Sequence, residues 1–134
     1  MRGRACGTRP VNTGADGPTG LPRNYLRPCL LLLLCEGATH GYDMLEQLPS
    51  LGHTRPDPGG MYRSLRAMEQ EGLVASTWEH SPTGPARRTY QLTDEGSDWL
   101  HVWAGSLRLV HDTISTFHGR YAEATDAPIG ERGR

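Results

Sequence analysis

The sequence predicts a mainly α fold of the α+β class: three short helices, a two-stranded antiparallel hairpin, and one long helix near the C-terminal end. Three observations predict it. Met61, Leu65 and Met68 recur at spacings of four and three, and the stretch closes on Gly72. Two alternating segments, VASTWE and RTYQL, flank the Pro/Gly-rich HSPTGPAR, which reads as a hairpin. From Trp103 onward apolar residues step by 4, 3, 4, 3 and 4, the a/d spacing of a helix that seats against another helix.

Each element has its own signals. Residues 1–21 are rich in Gly, Pro, Thr and Arg, with almost nothing to bury, so a disordered tail is expected there. Order is expected from Pro22. Pro28 suits a first helical turn, where its missing N–H would have been unpaired anyway. Leu30 to Leu34 is apolar all round, so the first helix is a central core helix, stopped at Gly37. In HGYDMLEQLPSLG, Tyr42, Leu45 and Leu48 share one face of a second helix, and Pro49 ends it. Residues 50–56 read as a loop. Asp57 and Pro58 start the third helix as N-cap and first position. Its stripe of Met61, Leu65 and Met68 is the expected buried side. Tyr62, Arg63, Arg66 and Gln70 lie opposite, and Gly59 and Gly60 stand at its N-terminus.

Val74, Ser76 and Trp78 share one side of the first strand; Arg88, Tyr90 and Leu92 alternate against Thr89 and Gln91 in the second. Between them lies a long, exposed tip with a basic edge. Thr93 caps the last helix, with Asp94 and Glu95 in the first turn, where the dipole favours acids. This helix is predicted from about Asp94 to about Tyr121, roughly 40 Å. Its seam is Trp103, Leu107, Val110, Ile114, Phe117 and Tyr121, with Trp99 one turn earlier. Under three heptads is too short for a free coiled coil. The strip wants a partner, most economically the same strip on a second copy. The expected organisation is therefore a tail over 1–21, a compact domain over 22–92, a dimerisation helix over 93–122 and a flexible tail over 123–134.

Composition bounds the function. At 134 residues with 36% hydrophobic residues, one domain is expected. A barrel enzyme needs about 250 residues. A membrane helix needs about 20 consecutive apolar residues, and the longest run is Cys29 to Cys35. No apolar stretch marks the first 20 residues, so no cleavable leader is expected. Three cysteines are too few for a disulfide scaffold. Cys29 and Cys35, ~9 Å apart on one helix, cannot bridge. A reduced, cytoplasmic protein is the expectation. All 14 basic residues are Arg, and the net charge of −1 hides a pattern. Residues 1–27 carry +4, residues 28–54 carry −3, residues 55–92 carry +1 and residues 93–134 carry −3.

Three helices followed by a basic hairpin is the order of a winged helix-turn-helix, and its physics fits DNA. The second helix of the pair lies in the major groove and reads base edges. The wing reaches backbone or minor groove, and Arg suits both through bidentate bonds to guanine or phosphate. Tyr62, Arg63 and Arg66 occupy the exposed first turns of the third helix; Arg87 and Arg88 sit where the wing returns. Backbone N–H groups at Gly59 and Gly60 can approach a phosphate closely. Tyr42, at the start of the second helix, would fix a phosphate on the near side. The alternative for these arginines is ion pairing with Glu69, Glu71 and Glu79.

HGYDMLEQL and GGMYRSLRAMEQEGLVASTWEHSPTGPARRTYQLTDEG resemble the PadR-type transcriptional regulators. The resemblance covers about residues 22–122. It rests on His40-Gly41-Tyr42, Tyr62-Arg63-x-Leu65, Glu71-Gly72-Leu73-Val74, Gly84-Pro85-Ala86-Arg87-Arg88 and Leu92-Thr93-x-x-Gly96. RPCLLLLL and the Trp103-Ala104-Gly105-Ser106-Leu107 pattern are similar, more narrowly, to the poly-β-hydroxybutyrate-responsive repressors. The resemblance implies a homodimer on double-stranded operator DNA, usually repressing, and often released by a small aromatic or hydrophobic effector. One departure is Gly60, where the family commonly carries Thr or a similar residue. The operator sequence is therefore not implied.

Other candidates are weaker. Trp99 and Trp103 either pack the dimer interface or sandwich a flat ligand between the copies. His111 and His118, ~10 Å apart along the axis, cannot share a metal within one chain. His40, His53 and His80 have no partner spacing, and no metal or cofactor is expected. Cys29 and Cys35 read as inert buried thiols. No Gly-x-Ser-x-Gly, phosphate loop or Cys-x-x-Cys is present, so no enzyme is expected. The function read from the sequence is a dimeric, effector-responsive DNA-binding repressor. The alternative is a winged-helix module that binds protein without specific DNA recognition.

Overall fold

The computed structural model describes residues 20–130, with side chains described through Asp126. Helix α1 spans Leu26–Cys35, α2 spans Gly41–Gln47 and runs into a 3-10 turn over Leu48–Leu51, and α3 spans Pro58–Gln70. Strands β1 (Val74–Glu79) and β2 (Arg87–Leu92) form the antiparallel hairpin, and α4 spans Asp94–Gly130. The chain divides into two compact units, one ending at Ser97 and the other beginning at Asp98. The first turn of α4 therefore belongs with the winged unit, a few residues beyond the boundary expected at 92. The tail expected over 1–21 lies outside the described residues, apart from Gly20 and Leu21. Residues 131–134 of the second tail lie outside them as well. Over 123–130 the backbone continues the helix, past the end expected near Tyr121. Ala122-Glu123-Ala124 are strong helix formers, and nothing before Pro128 interrupts the hydrogen-bond ladder.

The core follows the apolar periodicity. Leu30, Leu31 and Leu33 of α1, Met44 and Leu48, and Met61, Leu65 and Met68 of α3 are all buried, with α1 packed on both α2 and α3. Three glycines close the elements that make this core. Gly37, Gly52 and Gly72 all take positive φ, at 116°, 103° and 84°. After each, the next N–H reaches back to close the preceding turn: Ala38 to Leu33, His53 to Leu48, Leu73 to Met68. A side chain in that conformation meets its own carbonyl, which is why glycine stands there.

Two expectations need correcting. The buried face of α2 is Gly41 and Met44, continued by Leu48 of the 3-10 turn, while Tyr42 is 50% exposed. A helix period admits both sets; the tie is broken by what faces α2 in space. Asp57 occupies the N-cap of α3 with extended backbone, but its carboxylate makes no cap bond. It faces Arg63 instead, at 3.7 Å.

The hairpin register pairs Val74 with Leu92, Ser76 with Tyr90 and Trp78 with Arg88. The segment before α2 adds a short third edge: Tyr90 N–H donates to Thr39 O at 2.8 Å, and His40 bridges Thr89. Thr93 caps α4 as its sequence suggested, its Oγ1 accepting from Gly96 N–H at 2.9 Å. The same hydroxyl donates to Gly72 O at 2.7 Å. A Cβ on Gly96 would overlap the Leu73 carbonyl, so the first turn of α4 is clamped onto the α3–β1 turn.

In the second unit, α4 exposes Val110, Ile114, Phe117 and Tyr121, with Trp103 and Leu107 half-buried. Val102 and Leu109, outside the expected seam, widen the exposed apolar surface. No helix among the described residues is long and apolar enough to cross a membrane.

Candidate nucleic-acid interface

The predicted residues of α2, α3 and β2 converge within the first unit. Tyr62 stands on α3 and its ring lies over Gly41, where any Cβ would overlap it. That glycine lets the two helices of the pair approach at this point. A shallow hollow of about 130 Å³ opens there, lined by His40, Gly41, Tyr42, Tyr62, Arg87, Arg88 and Tyr90. Arg66, one turn along α3, lines the adjoining hollow with Tyr62, Glu69, Arg88 and Tyr90. Five of the eight residues expected to touch DNA thus surround two neighbouring depressions.

Their orientation is set by pairwise contacts. Arg87 donates from Nη1 to Tyr42 Oη at 2.8 Å, and its guanidinium lies 5.8 Å from the Tyr42 ring centre. His40 stacks on Tyr42 with ring centres 5.0 Å apart and 10° between planes. Its Nε2 meets Glu79 Oε1 at 2.9 Å, and its Nδ1 lies 3.4 Å from Asp43. Tyr90 is buried beneath the hollow, and burial pushes its phenol above the ordinary range.

Arg88 is held more firmly. Its Nε donates to Ser76 Oγ at 3.0 Å, and its Nη2 lies 3.5 Å from Glu69 Oε1. Ser76 Oγ donates in turn to Glu69 Oε2 at 2.7 Å. The exposed Trp78 ring faces the same guanidinium at 5.3 Å.

The remaining candidates stand apart. Arg63 pairs with Asp57 in a largely exposed contact. A Cβ on Gly60 would lie 2.8 Å from Asp57 Oδ2, so an acid borders the N–H groups expected to meet phosphate. Trp99 and Trp103 lie side by side on α4, ring centres 6.2 Å apart and tilted by 41°.

The three acids considered as arginine partners divide differently from expectation. Glu69 takes Arg88, Glu79 takes His40, and Glu71 takes Arg27 from α1 in a two-bonded pair at 2.7 and 3.0 Å. The Arg27 guanidinium holds the Glu71 carboxyl below its usual range. The contacts of His40, Ser76 and Trp78 are not marked in the sequence. Their contacts join residues far apart in the chain, so no local spacing marks them.

A second cluster lies behind α1. Tyr25 stacks on His53 at 5.3 Å. Burial pushes the Tyr25 phenol up to about 12 and the Cys29 thiol up to about 11. Cys29 is buried as expected, whereas Cys35 is exposed. Among the described residues His111 meets Asp112, and His118 meets the Ile114 carbonyl and the edge of the Phe117 ring. Among the described residues no three His, Cys, Asp or Glu side chains gather as a metal site would require.

These elements recur in known proteins. Residues 30–102 match the transcriptional regulator PadR-like family. The transcriptional regulator YqjI of Escherichia coli is 24% identical over 113 residues, 83% of this chain and 53% of that protein. The chain therefore spans about half the length of the curated relatives it matches. The PadR-like transcriptional regulator of Bacillus cereus superposes with a TM-score of 0.61 at 29% identity, covering 69% of this chain and 89% of that one. Bacillus subtilis PadR, solved with operator DNA, superposes with a TM-score of 0.53 at 28% identity, covering 59% of this chain and 46% of its own. With more than half of its sequence matching and its winged-helix fold shared with solved members, the chain belongs to the PadR-like family of transcriptional regulators.

Proposed function

We propose that this chain is a homodimeric repressor that binds operator DNA. The observation that carries the proposal is the convergence of Tyr42, Tyr62, Arg66, Arg87 and Arg88, from three separate elements, on two adjoining hollows of one surface. Guanidinium and phenol donors around an open, aromatic-lined depression suit a phosphodiester. Arg66, with Tyr62 and Arg63, lies on the helix that would enter the major groove. The operator complex of the B. subtilis relative supports the same use of the fold.

Dimerisation would run through the α4 seam, of which Val110, Ile114, Phe117 and Tyr121 are exposed. Two copies would then present their reading heads about 34 Å apart, one turn of DNA. Trp99 and Trp103 offer a tilted aromatic pair beside that seam. A flat hydrophobic effector wedged there would change the spacing and release DNA. The likeness to poly-β-hydroxybutyrate-responsive repressors rests on two short segments, and the proposal does not depend on it.

The test is a gel shift with the DNA upstream of the chain's own gene, repeated across salt. A steep loss of affinity with rising salt is expected, because neutralised phosphates release counterions. Arg66→Ala should relax sequence preference, and Arg87→Ala should weaken all sequences alike. Affinity for a protein partner without salt-dependent DNA binding would favour the interaction-module reading and defeat this one.

A further inference from the structure

We infer that Arg88 is a positioning residue that locks the wing to α3, leaving phosphate contact on the wing to Arg87. The inference rests on the DNA-binding reading and divides the labour of two adjacent arginines.

The observations separate them clearly. Arg87 spends one nitrogen on the Tyr42 hydroxyl. Arg88 has its Nε on Ser76, its Nη2 towards Glu69 and its guanidinium over the Trp78 ring. Ser76 passes its own hydrogen to the second oxygen of Glu69. The chain Glu69–Ser76–Arg88 thereby joins α3, β1 and β2 through three polar contacts. Glu69 lies one turn beyond Arg66 on α3, and both line the same hollow. The contacts therefore hold the angle between the reading helix and the hairpin at the point where both would meet DNA.

The charge logic yields a sharp test. Removing an acid near a DNA-facing surface ordinarily tightens binding, because one repulsion is lost. If Glu69 serves as the anchor for Arg88, its removal must weaken binding instead. Lysine keeps the charge of arginine but has neither the planar fork nor its stacking face. Arg88→Lys would preserve a phosphate contact and lose the lock.

The experiment is anisotropy titration of the dye-labelled upstream duplex at several salt concentrations. The full-length variants Arg87→Ala, Arg88→Ala, Arg88→Lys, Glu69→Gln and Arg88→Ala/Glu69→Gln are compared with wild type. Arg87→Ala should lower the salt slope by about one per bound chain. Arg88→Ala, Arg88→Lys and Glu69→Gln should each weaken binding by about fivefold with the slope unchanged. The double variant should be no weaker than either single one, since both break one unit. A slope reduced by about one in Arg88→Ala, wild-type affinity in Arg88→Lys, or tighter binding by Glu69→Gln overturns the inference. Should Arg88→Ala fold poorly, Arg88→Lys and Glu69→Gln decide alone. A wild-type chain without salt-dependent binding overturns the DNA reading itself, an outcome visible before any variant is compared.

Discussion

Replacing Gly41 by alanine should separate folding from DNA binding. The ideal Cβ would lie 2.6 Å from Tyr62 Cε1 and 2.7 Å from Cζ. Ordinary contact begins at about 3.4 Å, so the ring must withdraw by roughly 1 Å. It can do so, because Tyr62 is 40% exposed. Gly41 has no positive φ, so alanine adds no backbone strain and restricts the unfolded chain, worth about 0.4–1 kcal/mol. Partial loss of Tyr62 packing costs a similar amount. The urea midpoint should therefore move by less than the equivalent of about 1 kcal/mol. DNA affinity should fall by about tenfold, which is about 1.4 kcal/mol, as Tyr62 leaves the hollow it lines with Tyr42 and Arg87. Chemical denaturation and gel shift on the same preparations measure the two effects. The double variant with Tyr62→Ala should bind no more weakly than Tyr62→Ala alone. Wild-type affinity in Gly41→Ala, or a stability loss above about 3 kcal/mol, would refute the argument that the glycine exists to seat this ring.

Leu65→Ala, at a fully buried position of α3, should cost about 2–5 kcal/mol in denaturant unfolding. Ile114→Glu on the exposed α4 face should turn a dimer into a monomer by light scattering, while far-UV circular dichroism shows the winged unit still folded. Burial lowers the pKa of His53, so unfolding takes up a proton that the folded ring resists. Stability should hold above pH 6.5, the ordinary histidine value, and fall as pH drops from there towards the lowered folded value. His53→Phe should flatten that window in pH-resolved urea melts. The buried Cys29, with its raised thiol pKa, should resist iodoacetamide at pH 8 while Cys35 reacts, as peptide mass mapping would read.

Local chemistry carried most of the fold. The Met61, Leu65 and Met68 stripe, the Gly37 and Gly72 stops, the Thr93 cap and the hairpin each obey a rule that spans a few residues, and each stands in the structure as its sequence implies. What failed was choice among equivalent local answers. Tyr42 and Met44 compete for the buried face of α2 within one helical period, and only the neighbours of α2 decide between them. The end of α4 was misplaced because polar residues are compatible with both helix and tail.

That Arg66 would come near Arg87 and Arg88 could be read from the winged order of elements, and they line adjoining hollows. Which acid takes which base could not. Glu69 reaches Arg88 across nineteen positions and His40 reaches Glu79 across thirty-nine, and no periodicity encodes which distant carboxylate an arginine or histidine will find. The amino-acid sequence alone determined which segments coil, extend or turn, since those choices are settled by backbone sterics and the apolar repeat. Tertiary structure decided which donors stay open to a ligand and which are spent inside the chain, since that depends on side chains meeting across elements.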